Sequence, residues 1–356
     1  MKREFNWTFV VIPLLFALST FLLLRWQCTP VGAELSKTGL RVATYNVQWL
    51  SDEIHPERAA HLRSVIKNLD ADVVAFQEVE NKRALEIVLG KDWEIAIEDT
   101  PSERQELAIA VRKPLKIEHY DLVFEGSTFD SAFPGKRDVM RAVISNGYGV
   151  SFIVYSVHLK SRSGGRKQTD WQREWACALL AAYLKKDSEY LTIVLGDFND
   201  TPDDAGLNIL ETGNLFAKGK TENENDIYFC NLTEPLFAKD MVSYGLYRRF
   251  RGVTLSPRVP GARKENERWR GKDYKYPDDL AVREILFDQI LVSPKLKKLQ
   301  IGEVQIYNKP DALRGSISTE RSLGKNEATG TLPSDHLPVF ADFRIPVISH
   351  PANKGG

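Results

Sequence analysis

The sequence predicts an α/β protein in which strands outnumber helices. Eight short runs are rich in valine, isoleucine and aromatic residues and are bounded by Gly, Pro, Asn or Asp, which is typical of strands. Stretches with helical periodicity fall between these runs, as expected where helices cover a sheet. The segment 146–149, which contains two glycines, joins two neighbouring runs in the manner of a hairpin. We therefore expect antiparallel strand pairs and a sheet that is not purely parallel.

The predicted strands extend along most of the chain, and two helices lie between the first of them. The strands cover residues 40–47, 72–76, 107–111, 139–145, 150–157, 191–195, 285–292 and 337–343. The first helix is predicted over 56–69, because Pro56 suits a first turn and the apolar residues share one face. That face consists of Ala59, Leu62, Val65, Ile66 and Leu69. A second amphipathic helix is predicted over 82–89.

A third helix is predicted over 169–185. We expect its apolar stripe to pack in the core; the stripe consists of Trp171, Trp175, Ala178, Leu179 and Ala182. Cys177 lies in the same segment and is predicted to be a small core residue. With Cys28 and Cys230 it matches no zinc motif, and an odd number of cysteines forms no closed disulfide framework.

The composition is that of a globular protein with a sizeable core. The chain has 356 residues, of which 43% are hydrophobic and 27% are charged. Lys and Arg together number 48, equal to Asp and Glu, so the net charge is formally zero. A zero balance does not point to nucleic acid, yet it does not exclude it, because local patches decide that kind of binding.

The N-terminal segment resembles a targeting or anchoring sequence. Residues 7–24 carry no charge and lie between Lys2, Arg3 and Arg25. As a helix they would measure about 27 Å, close to the ~30 Å of a bilayer core. A signal peptide, cleaved near residues 31–33, and an uncleaved anchor with its basic end inside both fit, and a buried core helix is the third alternative. Either of the first two predicts that the protein is exported or anchored to the membrane.

One pattern then continues without a second linker. The sequence predicts a signal peptide or anchor with its linker over 1–35, one domain over 36–346 and a tail over 347–356. It implies no protein partner, and we expect a monomer.

Oxygen-bearing side chains stand where several predicted strands end. Asn46 and Glu78 follow the first two strands, and Asp197 and Asn199 follow the run 191–195. Such oxygens suit a hard cation. Asp197 and Asn199 are two residues apart, so in extended backbone both would face one space while Phe198 packs behind them. The alternatives are ordinary turn and surface roles, since each residue type is common there.

Two histidines are candidates for acid–base chemistry. His158 ends the run 150–157, where a lone histidine often has a structural role, and Asp335 with His336 precedes the last strand. Asp288 shares a strand face with apolar residues, and a buried carboxylate is costly without a partner. A histidine is the natural partner, because the pair fixes the imidazole tautomer. We predict His336 for that role, with His158 as the rival.

Six of these segments, in this order, resemble the endonuclease/exonuclease/phosphatase superfamily, and bacterial secreted nucleases in particular. They are ATYNV at 43–47, FQEV at 76–79, HLKS at 158–161, LGDFN at 195–199, FDQI at 287–290 and SDHLPV at 334–339. The resemblance covers about residues 40–345. It implies a four-layer α/β sandwich, with two mixed sheets packed face to face and helices outside. It also implies a Mg²⁺-dependent phosphoric ester hydrolase, with Mn²⁺ or Ca²⁺ as alternative ions.

The resemblance also implies roles for the motif residues. Glu78 would be the main metal ligand, with Asn46 and Asp335 near the ion. Asp197 and Asn199 would position or activate the attacking water. His158 would stabilise the phosphoryl oxygens, and His336, oriented by Asp288, would act as general base or polarise the phosphate. Whether His336 or Asp197 takes the proton stays open.

The local charge favours a nucleic acid as the substrate. Residues 247–276 contain ten Lys and Arg against three Asp and Glu, with aromatic residues interleaved, although a solvated basic loop is the alternative. A second basic loop follows His158. The candidate substrate contacts are Lys160, Arg162, Arg248, Arg249, Arg251 and Trp269. A metal-dependent nuclease is therefore the main hypothesis. A phosphoesterase acting on a phospholipid, a sphingolipid or a small phosphate ester is the second, and a non-catalytic binding module the third.

Overall fold

The computed structural model describes residues 39–101, 104–133, 137–162, 166–217, 227–239, 241–245, 249–250, 253–254, 285–316 and 330–345. The N-terminal segment, the C-terminal tail and most of the basic stretch 247–276 lie outside these ranges. Residues Lys37–Val347 form one compact unit. Across the described ranges, no helix is both long enough and apolar enough to cross a membrane.

The described residues contain fourteen strands and six helices. The strands are β1 (Leu40–Leu50), β2 (Val73–Val79), β3 (Trp93–Ile97), β4 (Glu106–Arg112), β5 (Lys116–Val123), β6 (Val139–Ser145), β7 (Ser151–His158), β8 (Thr192–Asp197), β9 (Cys230–Asn231), β10 (Arg249–Phe250), β11 (Val253–Thr254), β12 (Asp288–Val292), β13 (Gln300–Ile306) and β14 (Val339–Phe343). The helices are α1 (Pro56–Leu69), α2 (Lys82–Leu89), α3 (Arg166–Leu184), α4 (Ala205–Thr212), α5 (Glu234–Ala238) and α6 (Pro294–Lys297).

Two six-stranded sheets form the centre of the molecule. The first has the order β13-β14-β1-β2-β4-β3 and the second β5-β6-β7-β8-β12-β9, while β10 and β11 form a separate pair. In each six-stranded sheet the two middle strands, β1–β2 and β7–β8, run parallel, and all other neighbours are antiparallel. The mixed sheets and the predicted hairpin between 139–145 and 150–157 are thereby confirmed.

The sheets face each other and carry helices on their outer faces. β1 and β2 pack against β7 and β8, and the inner faces share one large apolar core. Helices α1 and α2 bury their apolar residues in that same core from the side of the first sheet. A second core lies between the outer face of the second sheet and helices α3 and α4. This is the predicted sandwich of two sheets between helices.

Helices α1 and α2 have the predicted bounds, and their ends show why. The His55 side chain accepts a hydrogen bond from the Glu57 backbone N–H, and Pro56 occupies the first turn. In α2 the Asn81 side chain caps the first turn by accepting from Ala84 N at 2.9 Å, and Gly90 ends the helix.

Only part of the stripe predicted for helix α3 packs against the core: Ala178 and Leu179 do, whereas Ala182 is exposed. Trp171 and Trp175 are 49% and 41% exposed, with their rings 6.2 Å apart. The buried face instead carries Arg173, Ala176, Cys177, Leu180 and Leu184, so the prediction for Cys177 is confirmed. The apolar pattern missed part of the buried face because an arginine such as Arg173 usually lies on the surface. Here its guanidinium is buried and donates to Asp200 Oδ1 at 2.6 Å and to Asp170.

Candidate active site

The folded chain brings most of the predicted site residues to one edge of the sandwich. Asn46 and Glu78 lie toward the carboxyl ends of β1 and β2, and His158 and Asp197 end β7 and β8. Asp288 begins β12, which runs antiparallel to β8 and pairs it with Asp197. His336 shortly precedes β14, which is antiparallel to β1. The four parallel strand ends and the two antiparallel strand beginnings therefore meet at the same edge.

Asn46 connects the two sheets within the site. Its Nδ2 donates to Glu78 Oε1 at 3.2 Å in the same sheet and to Asp197 Oδ2 at 3.1 Å in the other. Its Oδ1 accepts from the Gln48 backbone N–H at 2.9 Å. The amide nitrogen thus faces the two carboxylates. In this arrangement Asn46 orients the two acids, and its place near a metal ion stays a prediction.

Glu78 is a half-buried carboxylate in an acidic part of the site. It ends the extended run of β2 with a φ of +62°, a conformation uncommon outside glycine. Burial and then the charge of Asp335 raise the pKa of Glu78 above its usual value, while His336 and the hydrogen bond from Asn46 act in the opposite sense. The place of Glu78 and Asp335 beside a metal ion stays a prediction.

Asp197 occupies the middle of the site. Its Oδ2 is 3.6 Å from His158 Nε2 and 3.8 Å from His336 Nε2, besides accepting from Asn46. Burial, opposed by His336 and reinforced by Asp288, raises the pKa of Asp197 to about 7. One oxygen of this carboxylate is thereby shared among the three groups that surround the centre of the site.

Asn199 does not face the same space as Asp197. The backbone at Asn199 is left-handed, with φ +53°, and its N–H donates to Asp197 Oδ1 at 2.9 Å. Its side-chain amide donates to the Leu159 carbonyl at 3.1 Å. The extended geometry predicted for this pair is wrong, because the chain turns at Asn199 and uses its side chain to hold the end of β7. Phe198 is fully buried behind the turn, as predicted.

Gly196 permits the close approach of β7 and β8 just before this turn. Its φ is +150°, and a Cβ added there would lie 2.0 Å from the Val157 carbonyl oxygen. Only glycine fits this position. The close approach of β7 and β8, which brings Asp197 into the site, therefore depends on the absence of a side chain at residue 196.

Asp288 pairs with His336 and not with His158. His336 Nδ1 donates to Asp288 Oδ2 at 2.8 Å, and the Ser243 hydroxyl donates to the same oxygen at 2.6 Å. Burial alone would lower the pKa of His336, but the charge and hydrogen bond of Asp288, with Asp197 and Asp335, raise it to about 10. The pairing fixes the ring so that Nε2 points toward Asp197.

Ser334 aims the residues that follow it. Its hydroxyl donates to the Asn46 carbonyl at 2.7 Å and accepts from the His336 backbone N–H at 3.0 Å. The chain bends at Asp335, and His336 forms an isolated bridge with Tyr244. The turn that the adjacent Asp and His require is therefore present.

His158 lies between acids and a base. Its Nε2 is 3.7 Å from Glu78 Oε1 and 3.4 Å from Arg137 Nη1. Burial, then Arg137, His336 and Lys160, hold the pKa of His158 well below its usual value, so the ring is neutral. Arg137 is a site residue that sequence reasoning missed. Its only signal was a base next to the strand 139–145, and no motif marks it.

The predicted substrate contacts meet different outcomes. Lys160 is half-buried and near enough to His158 to affect the latter's pKa. Arg162 is buried and donates to the Asn199 carbonyl at 2.8 Å, to Asp200 Oδ1 at 3.1 Å and to Asp204. These protein partners argue against substrate contact and give Arg162 a supporting position under the Asp197–Asn199 turn. Arg249 is described only as backbone in β10, and Arg248, Arg251 and Trp269 lie outside the described residues.

The donor set fits a hard divalent cation. Within the described ranges, no group of three or more His, Cys, Asp or Glu side chains converges as a metal-binding cluster. Mg²⁺ does not require one, because it commonly binds one or two carboxylates and keeps several waters. Glu78 is half-buried, and the charge of Asp335 raises its pKa, so these two acids form a negative pair that a cation would neutralise. Glu78 and Asp335 are therefore the residues that would hold the ion.

Comparisons with known proteins agree with this arrangement. Residues 43–336 match the model of the Endonuclease/Exonuclease/phosphatase family. A D. rerio TDP2, solved with a single-strand DNA product, is 16% identical, with a TM-score of 0.50 and coverage of 86% of this chain and 99% of that one. The human nocturnin catalytic domain, solved with a bound sulfate, is 15% identical, with a TM-score of 0.51 and coverage of 86% and 94%.

A bacterial phosphatase shares the fold as well. The mannosyl-6-phosphatase of Bacteroides thetaiotaomicron is 14% identical, with a TM-score of 0.53 and coverage of 85% of this chain and 98% of that one. No curated protein matches the chain. At these identities the solved structures establish the fold of the chain and not its substrate.

Proposed function

The chain belongs to the endonuclease/exonuclease/phosphatase family, and on that premise we propose that it is a metal-dependent phosphodiesterase that hydrolyses nucleic acid. The observation that carries this proposal is the meeting of Glu78, Asp197 and the Asp288–His336 pair at one edge of the two sheets. Carboxylates for a cation, an acceptor for a proton and an oriented imidazole are what phosphate-ester hydrolysis by water requires.

A Mg²⁺ ion held by Glu78 and Asp335 would supply neutralisation of the negative charge that develops on the phosphate, with Mn²⁺ or Ca²⁺ as alternative ions. The protein residues supply the rest. Asp197 is held by Asn46 and by the Asn199 backbone N–H, so its carboxylate is aimed into the site to orient water and accept its proton. His336, fixed by Asp288, presents its Nε2 to the same space and would donate to a phosphoryl oxygen.

The cations beside His158 support an anionic substrate. Arg137 Nη1 lies 3.4 Å from His158 Nε2, and Lys160 follows His158 by two residues. Together with the neutral His158 ring they form one side of the site that would contact phosphate oxygens. We assign Arg137 and Lys160 to substrate binding on this ground.

The preference for nucleic acid rests on the basic and aromatic stretch 247–276. Lysine and arginine side chains attract the phosphate backbone, and interleaved aromatic rings stack on nucleobases. The D. rerio TDP2 structure, which has this fold, is described with a single-strand DNA product. A small phosphate ester is the second candidate, because two cations next to His158 also suit a phosphate monoester, and the mannosyl-6-phosphatase shares the fold.

The deciding experiment is a substrate panel on the purified full-length chain. We expect nicking of supercoiled plasmid DNA with Mg²⁺ and none with EDTA. His336→Ala should lose this activity, whereas His119→Ala, an exposed histidine on the edge strand β5, should keep it. The panel also contains RNA, single-stranded DNA, mannose 6-phosphate and sphingomyelin. Hydrolysis of a sugar phosphate or a lipid without any nicking would overturn the nuclease proposal.

Export or anchoring remains a proposal that rests on residues 1–35 alone. We expect the mature N-terminus to lie after residue 33 if the segment is a signal peptide, and at residue 1 in a membrane fraction if it is an anchor. Mass spectrometry of the N-terminal peptide from fractionated cells distinguishes these outcomes. An intact N-terminus in the cytosolic fraction would contradict both.

A further inference from the structure

A buried arginine connects two segments beside the candidate active site that are far apart in the sequence. Arg58 lies on helix α1, but it is only 1% exposed. Its guanidinium donates to four backbone carbonyls: Val47 at 2.5 Å, Gln48 at 2.9 Å, Leu332 at 3.1 Å and Pro333 at 3.0 Å. One side chain thus holds two segments that are far apart in the sequence.

Both segments carry site residues. Val47 and Gln48 directly follow Asn46, in a stretch where Gln48 and Trp49 adopt the left-handed conformation, with φ +47° and +54°. Leu332 and Pro333 directly precede the turn that carries Asp335 and His336. Two further contacts join the same parts: His61 of α1 donates through Nδ1 to the Thr331 carbonyl at 2.6 Å, and Ser334 donates to the Asn46 carbonyl at 2.7 Å.

The charge of Arg58 is not explained by the stability of the fold. Across the described ranges, no carboxylate hydrogen-bonds to its guanidinium, and burying a charge without such a partner is costly. Burial lowers the pKa of Arg58 to about 10, and the Tyr45 hydroxyl, Asp335 and Glu78 act in the opposite sense. Asp335 and Glu78 are the pair assigned above to the cation. The positive charge therefore lies where the site concentrates negative charge.

We propose that Arg58 is a positioning residue of the active site, which fixes the segment after Asn46 and the segment before His336 relative to each other by donating to their carbonyls. The part of this inference that concerns turnover rests on the proposed function, whereas the part that concerns the two segments does not.

The test compares Arg58 with Arg41, whose guanidinium also joins segments that are far apart in the sequence. Arg41 is partly buried at the opposite end of β1, with a bidentate pair to Asp342 at 2.8 and 2.9 Å and a hydrogen bond to the Leu69 carbonyl at 2.9 Å. We expect Arg58→Met to lower the kcat for plasmid nicking and for bis(p-nitrophenyl) phosphate by about 10²-fold with little change in KM, since small misplacements of reacting groups cost that much. Arg58→Lys should recover part of the loss, and Arg41→Met should lower the melting temperature without changing kcat.

Hydrogen exchange gives a readout that does not depend on activity. In Arg58→Met, peptides that cover residues 46–50 and 331–337 should exchange faster than in the wild type, and in Arg41→Met they should not. If Arg58→Met does not fold, Arg58→Lys is used in its place. Unchanged exchange in both segments, or equal kcat losses in the Arg58 and Arg41 variants, would overturn the inference. A wild type that turns over neither substrate would sink the proposed function, and the exchange arm would still decide the role of Arg58.

Discussion

Glu78 and Asp197 are acids in positions that are unfavourable for the stability of the folded protein. Burial raises the pKa of both side chains, and each lies near another acid, Asp335 for Glu78 and Asp288 for Asp197. Groups perturbed by burial and by like charges cluster at functional sites, because chemistry needs them there at the expense of stability. The same residues should therefore respond to substitution with opposite changes in activity and in stability.

Glu78→Gln is expected to separate the two properties. The glutamine amide keeps an oxygen that can accept from Asn46 Nδ2, as Glu78 Oε1 does at 3.2 Å in the wild type. The substitution removes the negative charge. Activity should fall by at least about 10²-fold, since charge neutralisation by a bound cation contributes several kcal/mol. The melting temperature measured in EDTA should be unchanged or higher. Glu57→Gln, at an exposed glutamate of α1, serves as the control; a Glu78→Gln variant with full activity would contradict the site.

Asp288→Asn should disable His336 without removing it. The carboxylate accepts from His336 Nδ1 at 2.8 Å and fixes the ring orientation in which Nε2 faces Asp197. Loss of an oriented acid–base group reduces rates by about 10²–10⁴-fold. Asp187→Asn is the matched control, because Asp187 is also buried, in the turn after α3, and pairs with Arg141 of β6 at 2.9 Å, away from the site. Rates within about twofold of the wild type in Asp288→Asn would refute the assigned role.

At the scale of elements, the sequence predicts the inside of each sheet and misses its edges. The strands predicted correctly are those with neighbours on both sides, whereas β3 and β13 at the edges of the first sheet and β5 and β9 at the edges of the second were not predicted. Edge strands are paired on one side only, so they carry polar residues; most of β5 and β13 is exposed or half-exposed. A continuous apolar run is therefore a signal for central strands, and these are the strands that carry the site.

The site shows the same division. Residues that end central strands, such as Glu78, His158 and Asp197, could be found because a polar side chain after an apolar run is conspicuous. Arg58, Arg137 and Ser243 could not, because each acts through a contact between segments distant in sequence. Asn199 was found, but its orientation was not, since a single left-handed residue reverses the direction of the side chain.

The junction of β7 and β8 gives a prediction at this scale. Gly196→Ala would place a Cβ 2.0 Å from the Val157 carbonyl, whereas Gly90→Ala, which also has a positive φ of +82°, meets no atom within 4 Å. Gly90→Ala should cost about 1–3 kcal/mol, because a φ of 82° with a ψ of −171° is a conformation that essentially only glycine adopts. Gly196→Ala should cost several-fold more or prevent folding. Chemical denaturation of both variants checks this, and equal losses would show that backbone strain alone accounts for the glycine.

At the scale of the whole molecule, the site is formed jointly by the two six-stranded sheets. The first sheet contributes Asn46 and Glu78, the second contributes Asp197 and Asp288, and the Asn46–Asp197 hydrogen bond of 3.1 Å crosses between them. A ligand that binds at this junction contacts both halves at once. Its binding should therefore stabilise the sandwich as a unit.

We expect Mg²⁺ to raise the melting temperature of the protein in a single transition. An ion that binds only the folded state stabilises it by about 2.7 kcal/mol at a concentration one hundred times its dissociation constant. Differential scanning calorimetry in EDTA and in increasing Mg²⁺ measures the shift, and Glu78→Gln should abolish it. An equal shift in the wild type and in Glu78→Gln would place the ion elsewhere.

The position of β14 has a consequence for the order in which the protein acquires its activity. This strand fills the place between β13 and β1, yet it is made roughly 290 residues after β1. At about 5–20 residues per second, translation of the intervening chain takes about 15–60 s. Throughout that interval β1 has no partner on one side, and His336 does not exist. A nascent chain that has not yet reached β14 therefore lacks His336, and the candidate site is complete only after that residue has been made.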